Sequence, residues 1–290
     1  WRPLLWALGP PLALYAFHNW DLSASFLAAL GLLLFARGKA GWAGAVLALG
    51  FYAKIYPALF LPLLGMELLR RDGGLRRDGW RFGLAAVGTL AAVAAPLLVL
   101  APARFVESFA FHARRGPTIE SAWNGLRHFA SQAGWDGVAR FLAGAGVAIL
   151  SNALILFFLV LLATAVRRGR LHWLHACLGM VAAFLLFNQV MSMQYALWVL
   201  PLLVLVRVPW WGVGAFLAAD AACYYTVLDY FGHEDTAHFE AMAMASLARA
   251  AAYALLLGWV LWGLRRPAST RTAPPADSLT WPAAPPESNR

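Results

Sequence analysis

Nine apolar runs divide this chain, and four of them are long enough to cross a lipid bilayer as single helices. A crossing takes roughly 20 helical residues, and the runs 82–102, 138–165, 209–231 and 244–264 reach that length. The sequence contains no ten-residue segment of alternating polarity, so helices are the only spanning form that it supports. We therefore predict an all-α, polytopic transmembrane protein. The other runs, of which the shortest predict partial or broken helices, are 4–17, 24–36, 41–65, 171–187 and 196–206.

Charged residues are few, and their positions predict an orientation. They make up 13% of the chain, against about 25% in soluble domains. A net charge of +9 would fit a nucleic-acid-binding protein, but most basic residues lie in short loops between apolar runs, as in cytoplasmic loops of membrane proteins. We therefore predict no nucleic-acid partner, and we place 18–23, 103–137, 188–195 and 232–243 on the outer side. The predicted cytoplasmic loops contain Arg37, Lys39, Arg70, Arg71, Arg76, Arg77, Arg81, Arg167, Arg168, Arg170, Arg265 and Arg266.

The run 41–65 conflicts with a single crossing, because both of its flanks are basic. Lys54 and Pro57 lie in its middle. Proline removes a helix hydrogen bond and disfavours helical geometry in the residue before it. We predict two half-helices that enter from the cytoplasm, turn near 54–57 and return. The alternative is one kinked helix whose Lys54 side chain snorkels to the surface.

Two charged residues on the predicted outer side are the first candidates for a site, because charge inside a membrane is costly and usually functional. Lys54 would bind a phosphate in the head-group zone, or it would form a structural ion pair with a carboxylate such as Asp21. Asp21 would act as a base toward a hydroxyl, or it would cap the helix that follows it.

The long outer loop and the last apolar run add further basic groups. His112, Arg114 and Arg115 would bind phosphate oxygens, or they would contact lipid head groups. Arg249 lies just inside the last run, where it would join these groups or snorkel to the surface.

Other features are predicted to be structural. The segment 118–129 has the pattern of an amphipathic helix at the membrane interface, with Trp123 and Phe129 as its anchors. Cys177 and Cys223 lie inside apolar runs and predict small core side chains rather than a disulfide.

Two features are predicted to contribute nothing to catalysis, and a third concerns the start of the chain. His233-Glu234-Asp235 and His238 resemble a metal-binding set, but solvated loops at helix ends often contain such residues, so we predict no metal and no cofactor. The segment 267–290 is rich in proline and predicts a disordered cytoplasmic tail after a membrane domain, 1–266. The first residue is not methionine, so we expect that the natural N-terminus lies upstream.

Short motifs in a fixed order resemble one family of membrane enzymes. The segment 42–57, followed by Leu61-Pro62, resembles the "AG…G…K.YP…LP" segment of the GT-C membrane glycosyltransferases. Within that superfamily the likeness is to glycosyltransferase family 87, whose "NKV.SPQY..W..P" segment is similar to Asn188…Ser192…Gln194-Tyr195…Trp198…Pro201. The similarity covers most of 15–265. Two further stretches familiar from the group are Ile119-Glu120-Ser121-Ala122-Trp123 and Asn19-Trp20-Asp21.

The resemblance implies a membrane hexosyltransferase of the inverting kind. Family 87 groups polyprenol-phosphate-mannose-dependent mannosyltransferases, so the implied donor is a polyprenyl-phosphate sugar and the implied hexose is mannose. The implied acceptor is a glycan or a lipid-linked glycan on the extracytoplasmic side of a bacterial plasma membrane. Membrane lipids are the other expected partners.

The resemblance also implies roles for particular residues. Lys54, Arg114 or Arg115 would hold the donor phosphate, and the amides and tyrosine of 188–195 would orient sugar or lipid. Gln189 stands where the family has Lys and Met193 where it has Pro, which weakens a phosphate-binding role for that run. The superfamily's essential acidic residue is expected upstream of residue 1, with Asp21 as the catalytic candidate within this chain. The candidate substrate-binding residues are Lys54, Tyr56, His112, Arg114, Arg115, Glu120, Asn188, Gln189, Ser192, Gln194, Tyr195 and Arg249.

Two other classes remain open at this point. A transporter or lipid flippase also uses broken helices and polar residues at membrane depth, but such carriers usually repeat the broken segment in two halves, and no repeat is visible here. A degenerate, non-catalytic transferase would fit the two departures at Gln189 and Met193.

Overall fold

A computed structural model describes residues 2–71 and 77–265, and within these residues the chain is 84% helical with no strand. This confirms the predicted all-α, polytopic fold. The predicted tail 267–290 lies outside the described residues. The helices in the described part are α1 (Arg2–Leu8), α2 (Pro10–Tyr15), α3 (Asp21–Ala36), α4 (Ala40–Ala53), α5 (Phe60–Arg71), α6 (Arg77–Leu100), α7 (Pro102–Arg114), α8 (Ala122–Gln132), α9 (Asp136–Ala143), α10 (Ala145–Arg167), α11 (Trp173–Phe187), α12 (Ala196–Leu205), α13 (Trp210–His233) and α14 (Thr236–Gly263).

Four helices, α6, α10, α13 and α14, are long and apolar enough to cross a membrane. They coincide with the four long apolar runs of the sequence, which confirms that prediction. The run 138–165 differs in one respect, because it forms two helices rather than one. Gly144 adopts an extended backbone between α9 and α10, with φ −103° and ψ −171°.

The run 41–65 is broken at the predicted place. Helix α4 ends at Ala53, and Lys54 has an extended backbone with φ −157° and ψ 150°. A 3-10 turn, Tyr56–Leu59, contains Pro57 and leads into α5. Because proline lacks an amide hydrogen and restricts the preceding residue, the α-helical hydrogen-bond ladder stops here.

Helix α5 turns back toward the end of the bundle at which α4 begins. The Arg71 guanidinium, in the last turn of α5, lies 5.4 Å from the ring centroid of Phe35 in the last turn of α3. Lys54 contacts Asp21 at the opposite end of α3. The two half-helices are therefore confirmed, and the single kinked helix is wrong.

The two ends of the bundle differ in charge. At one end, the Phe35 ring packs against Phe82 and Trp173. Both residues closely follow arginines in the sequence, at 77–81 and 167–170. We call this the basic end. The other end, which we call the site end, holds Asp21, Lys54 and the link 188–195.

Two short central helices form the core that the others surround. Helix α11 is buried on nearly all sides, and most of α12 is buried with it. A helix that is apolar all round is stable only when other helices cover it. This explains why helices too short for an ordinary crossing are nevertheless fully enclosed.

One interpretation of the outer loop is wrong. The predicted interfacial helix 118–129 is α8, which Ser121 caps by accepting a hydrogen bond from the Asn124 amide. Its Trp123 is not an interface anchor, because the side chain is 9% exposed and the indole nitrogen donates to the Phe187 carbonyl at 2.7 Å. A buried indole nitrogen usually has such a hydrogen-bond partner.

Gly44 allows α4 to pack directly against α6, which gives a test of the fold. A Cβ at this position would overlap the carbonyl oxygen of Phe82, a backbone atom that cannot move aside cheaply. Gly44→Ala should lower the free energy of unfolding by about 1–3 kcal/mol through overpacking. Thermal unfolding in detergent measures the loss.

Gly83→Ala is the matched control, because it lies inside helix α6 and no atom is within 4 Å of the place that the new methyl group would take. Alanine favours a helix over glycine by about 1 kcal/mol, so this variant should be neutral or more stable. Equal melting temperatures for the two variants would contradict the packing.

Candidate functional site

A buried ion pair lies at the break between α4 and α5. The Lys54 Nζ atom is 3.4 Å from Asp21 Oδ2, and the Asp21 side chain has no exposed surface while 18% of the Lys54 side chain is exposed. Because Lys54 follows the last residue of α4 and Asp21 is the first residue of α3, the helix break itself positions both charges.

Aromatic rings enclose this pair. The Trp198 indole nitrogen donates to Asp21 Oδ1 at 2.8 Å. The rings of Tyr56 and Tyr195 both stack on Trp198, with centroid distances of 4.4 Å and 4.0 Å. Lys54 Nζ also lies 5.5 Å from the centroid of the Tyr195 ring, within the range of a cation–π contact. We call Asp21, Lys54, Tyr56, Tyr195 and Trp198 the Lys54 cluster.

Charges from the outer loop reach the same tyrosine, which lies in the link 188–195. Burial raises the pKa of Tyr195 to about 12, with the Asp21 carboxylate and Glu120 adding to the rise and the Arg115 guanidinium opposing it. The phenol is therefore protonated at neutral pH and can donate a hydrogen bond. The charges of Arg115 and Glu120 therefore act on Tyr195, a member of the Lys54 cluster.

The structure excludes one alternative for Asp21 and shows one of the two for Lys54. Asp21 does not cap α3, because Trp20 holds the N-cap position without a side-chain bond and both Asp21 oxygens face Trp198 and Lys54. The ion pair expected as the alternative for Lys54 is present. The exposed part of Lys54 still leaves the ammonium open to a second anion.

Hydrogen bonds join the outer loop to the link 188–195. The Thr118 hydroxyl donates to the Met191 carbonyl and accepts from the Met191 amide, both at 2.8 Å, and the Thr118 amide donates to the Gln189 carbonyl at 2.9 Å. The Gln189 side-chain amide donates to the Arg115 carbonyl at 2.9 Å. These bonds fix the backbone of Arg115 beside the link.

The polar side chains of the link bond within the protein. Asn188 donates to the Val190 carbonyl at 2.6 Å, and the Ser192 hydroxyl donates to Gln194 Oε1 at 2.6 Å. Gln194 is 5% exposed. The amide side chains therefore stabilise the conformation of the link 188–195. Tyr195 is the residue of the link that belongs to the Lys54 cluster.

Arg249 does not snorkel to the surface. Its side chain is 1% exposed, lies 3.8 Å from Asp220 Oδ1 and donates to the Glu120 carbonyl at 3.2 Å. The Tyr15 hydroxyl donates to the other Asp220 oxygen at 3.2 Å. This network supports the outer loop from beneath.

His112 and Arg114 lie on a different surface. His112 lines an open groove of about 680 Å³ along α7 together with Arg104, Glu107 and Phe111. Arg114 is exposed and pairs with Glu107 on the same helix. Another face of α7 meets α4, because Phe109 stacks on Phe51, three residues before Lys54.

The chain matches the family model of glycosyltransferase family 87 over residues 1–192, about two thirds of its length. It belongs to glycosyltransferase family 87. The match includes Lys54, Arg115 and Gln189, and it ends at Ser192. No curated protein and no solved structure has significant similarity to the chain. The protein is therefore a membrane glycosyltransferase, which confirms the resemblance seen in the sequence.

Several residues that build the Lys54 cluster and its surroundings could not be assigned from the sequence. Trp198 stood in the quoted motif, but its bond to Asp21 spans 177 positions. No motif pointed to the hydrogen bonds that Thr118 and Tyr15 make. Asp220 of α13 pairs with Arg249 of α14, a contact between two helices.

The Asp220–Arg249 pair provides a test of this support. Arg249→Met should lower the free energy of unfolding by about 3–5 kcal/mol, because it leaves a buried carboxylate without its cation. Adding Asp220→Asn should restore most of the loss, since the double variant holds no unpaired charge there. Thermal unfolding of the transferase in detergent measures both.

Arg127→Met is the control, because Arg127 is exposed on α8. It should leave the melting temperature unchanged. If the double variant of the pair is less stable than Arg249→Met alone, the two side chains are not coupled.

Proposed function

We propose that this family 87 transferase moves a hexose, mannose by its family likeness, from a polyprenyl-phosphate donor to a glycan or lipid-linked acceptor. The observation that carries the proposal is the Lys54 ammonium, which is partly exposed at the site end beside the faces of Tyr195 and Trp20. A lipid-borne phosphate at head-group depth needs a cation in such a position. Aromatic faces next to it provide a surface for the apolar and sugar parts of the donor.

The groove along α7 supports entry of the donor from the lipid phase. It is open and lined by residues of α7, and Phe109 on another face of the same helix contacts Phe51 of α4. A polyprenyl chain could lie along this exposed helix while its phosphate reaches the Lys54 cluster. His112 and Arg114 would then meet head groups or the donor at the rim of the groove.

Two carboxylates act on Tyr195, and their exposure suggests different roles. A general base must touch the proton that it removes. Asp21 has no exposed surface, so we assign it to holding Lys54 in place. Glu120 is partly exposed, and we assign to it the contact with the acceptor hydroxyl.

The proposed reaction is a single displacement. The acceptor oxygen bonds to the anomeric carbon as the bond from that carbon to the phosphate oxygen breaks, and the acceptor proton passes to Glu120. The negative charge stays on the released polyprenyl phosphate, where Lys54 and Arg115 stabilise it. No covalent sugar–protein intermediate forms, so the configuration inverts.

The orientation of the transferase follows from its two ends. Arginine-rich segments favour the cytoplasmic side, so we assign the basic end to the cytoplasm. The site end then faces the extracytoplasmic side of the membrane, for which a bacterial plasma membrane is the proposed location.

The experiment uses the full chain in lipid nanodiscs with radiolabelled polyprenyl-phosphate-mannose and a lipid extract of the source organism as acceptor. Lys54→Met should reduce transfer about 100-fold or more, because it removes the charge that stabilises the leaving phosphate. Lys54→Arg should retain part of the activity. Lys39→Met is the matched control, since Lys39 is exposed at the basic end, and it should transfer at the wild-type rate.

Two further measurements, the affinity for the donor and the use of a different donor, distinguish loss of binding from loss of transfer. Glu120→Gln should bind polyprenyl-phosphate-mannose with unchanged affinity and lose transfer. GDP-mannose should not replace the lipid donor. Wild-type transfer by Lys54→Met would overturn the role of Lys54, and movement of the intact donor across liposomes without transfer would indicate a flippase.

A further inference from the structure

The turn between α13 and α14 brings four polar side chains together at the protein surface. Helix α13 ends at His233, Glu234 takes a left-handed backbone with φ 51°, and Asp235 caps α14 by accepting a hydrogen bond from the His238 amide at 2.9 Å. This tight connection places the first turn of α14 against the last turn of α13. Asp229 and His233, four residues apart, share one face of α13.

Three of these side chains converge. One ligand atom from each of Asp229, His233 and His238 lies within 4.8 Å of the other two. The two imidazole rings are nearly parallel, with centroids 4.1 Å apart. His238 Nε2 is 3.6 Å from Asp229 Oδ2. A tetrahedral zinc ion holds its ligand atoms roughly 3.3 Å apart, so these atoms must close by up to about 1.5 Å. Because an imidazole points its in-plane lone pair at the metal, one of the two stacked rings must also turn to complete the set.

Oxygen acceptors hold the Nδ1 atoms of both rings, and in His233 this nitrogen also lies 3.4 Å from Asp229 Oδ1. His238 Nδ1 lies 2.7 Å from Asp235 Oδ1, and His233 Nδ1 lies 3.0 Å from the Asp229 carbonyl. A carbonyl or a carboxylate can only accept, so each Nδ1 is the donor and each neutral ring keeps its Nε2 lone pair free. Metal-binding histidines usually have such a second partner, which fixes the ring and increases its basicity.

We propose that Asp229, His233 and His238 bind a divalent metal ion of the zinc class, with Asp235 as the residue that orients His238. Two imidazoles and one carboxylate suit a borderline metal better than magnesium or calcium, which prefer oxygen ligands. Three protein ligands leave a fourth position for water or another anion. The side chains are 29% to 55% exposed, so the metal has a direct path from solvent.

The site is separate from the Lys54 cluster, but helix α8 contacts both the turn that holds it and the end of α11, next to the link 188–195. Helix α8 connects them, because Trp123 in its first turn bonds the Phe187 carbonyl and Gln132 at its end bonds Glu240, two residues after His238. A metal bound here would join α13 to α14 and hold the turn against α8. The sequence alone predicted no metal, since spacing did not reveal that the two helices bring these side chains together.

The test measures Zn²⁺ binding to the full, untagged chain in detergent by competition with a fluorescent zinc chelator. One Zn²⁺ per chain should bind, and Zn²⁺ should raise the melting temperature. Co²⁺ bound in its place should show the visible absorption bands of a tetrahedral site. His233→Ala, His238→Ala and Asp229→Asn should each weaken Zn²⁺ binding at least tenfold. Asp235→Asn should weaken it by about 10–100-fold through the orientation of His238.

His18→Ala is the matched control, because His18 is an exposed histidine in another turn, and it should bind Zn²⁺ like the wild type. Size-exclusion profiles identify any variant that does not fold, and the Co²⁺ spectrum of the wild type tests the site without a substitution. Absence of stoichiometric Zn²⁺ binding by the wild type would overturn the proposal. So would wild-type affinity in the folded histidine and Asp229 variants.

Discussion

The ion pair between Lys54 and Asp21 is the interaction on which the rest of the site depends. An ammonium at the interrupted end of a half-helix is costly in an apolar surrounding unless a counter-charge meets it. Asp21, at the first position of α3, supplies that charge, and Trp198 holds the carboxylate in place. The break at 54–57 therefore does more than shorten a helix. It joins α3, α4 and α12 at one point and leaves part of the lysine open to a ligand.

Next to this ion pair, the loop before α8 and the link 188–195 are held to the helix bundle by hydrogen bonds as well as by apolar packing. Thr118 joins the loop before α8 to the link 188–195, and Arg249 supports the same loop from beneath through the Glu120 carbonyl. Buried polar groups carry a free-energy cost unless they are bonded, so such bonds specify one loop conformation. This arrangement keeps Arg115 and Glu120 near Tyr195, where the proposed transfer chemistry needs a cation and a base.

Local patterns predicted the fold well and the site only in part. Length and apolarity identified the four long helices, and the proline after Lys54 predicted the half-helices. These predictions succeeded because a helix and a helix break are determined by residues close together in the sequence. Trp123 was misplaced as an interface anchor because its partner, Phe187, is distant in sequence. For the same reason the capping role considered for Asp21 was wrong, since Trp198 and Lys54 compete for its oxygens. The convergence of His233 and His238 with Asp229 depends on the angle between two helices, which no spacing rule reveals.

A structure of the full chain in nanodiscs with polyprenyl-phosphate-mannose bound tests the central claim most directly. We predict that the donor phosphate lies within about 4 Å of Lys54 Nζ, the reach of an ion pair, while Asp21 keeps its bond to Trp198. The account is contradicted if residues 40–71 form one continuous helix, or if the phosphate binds away from Lys54.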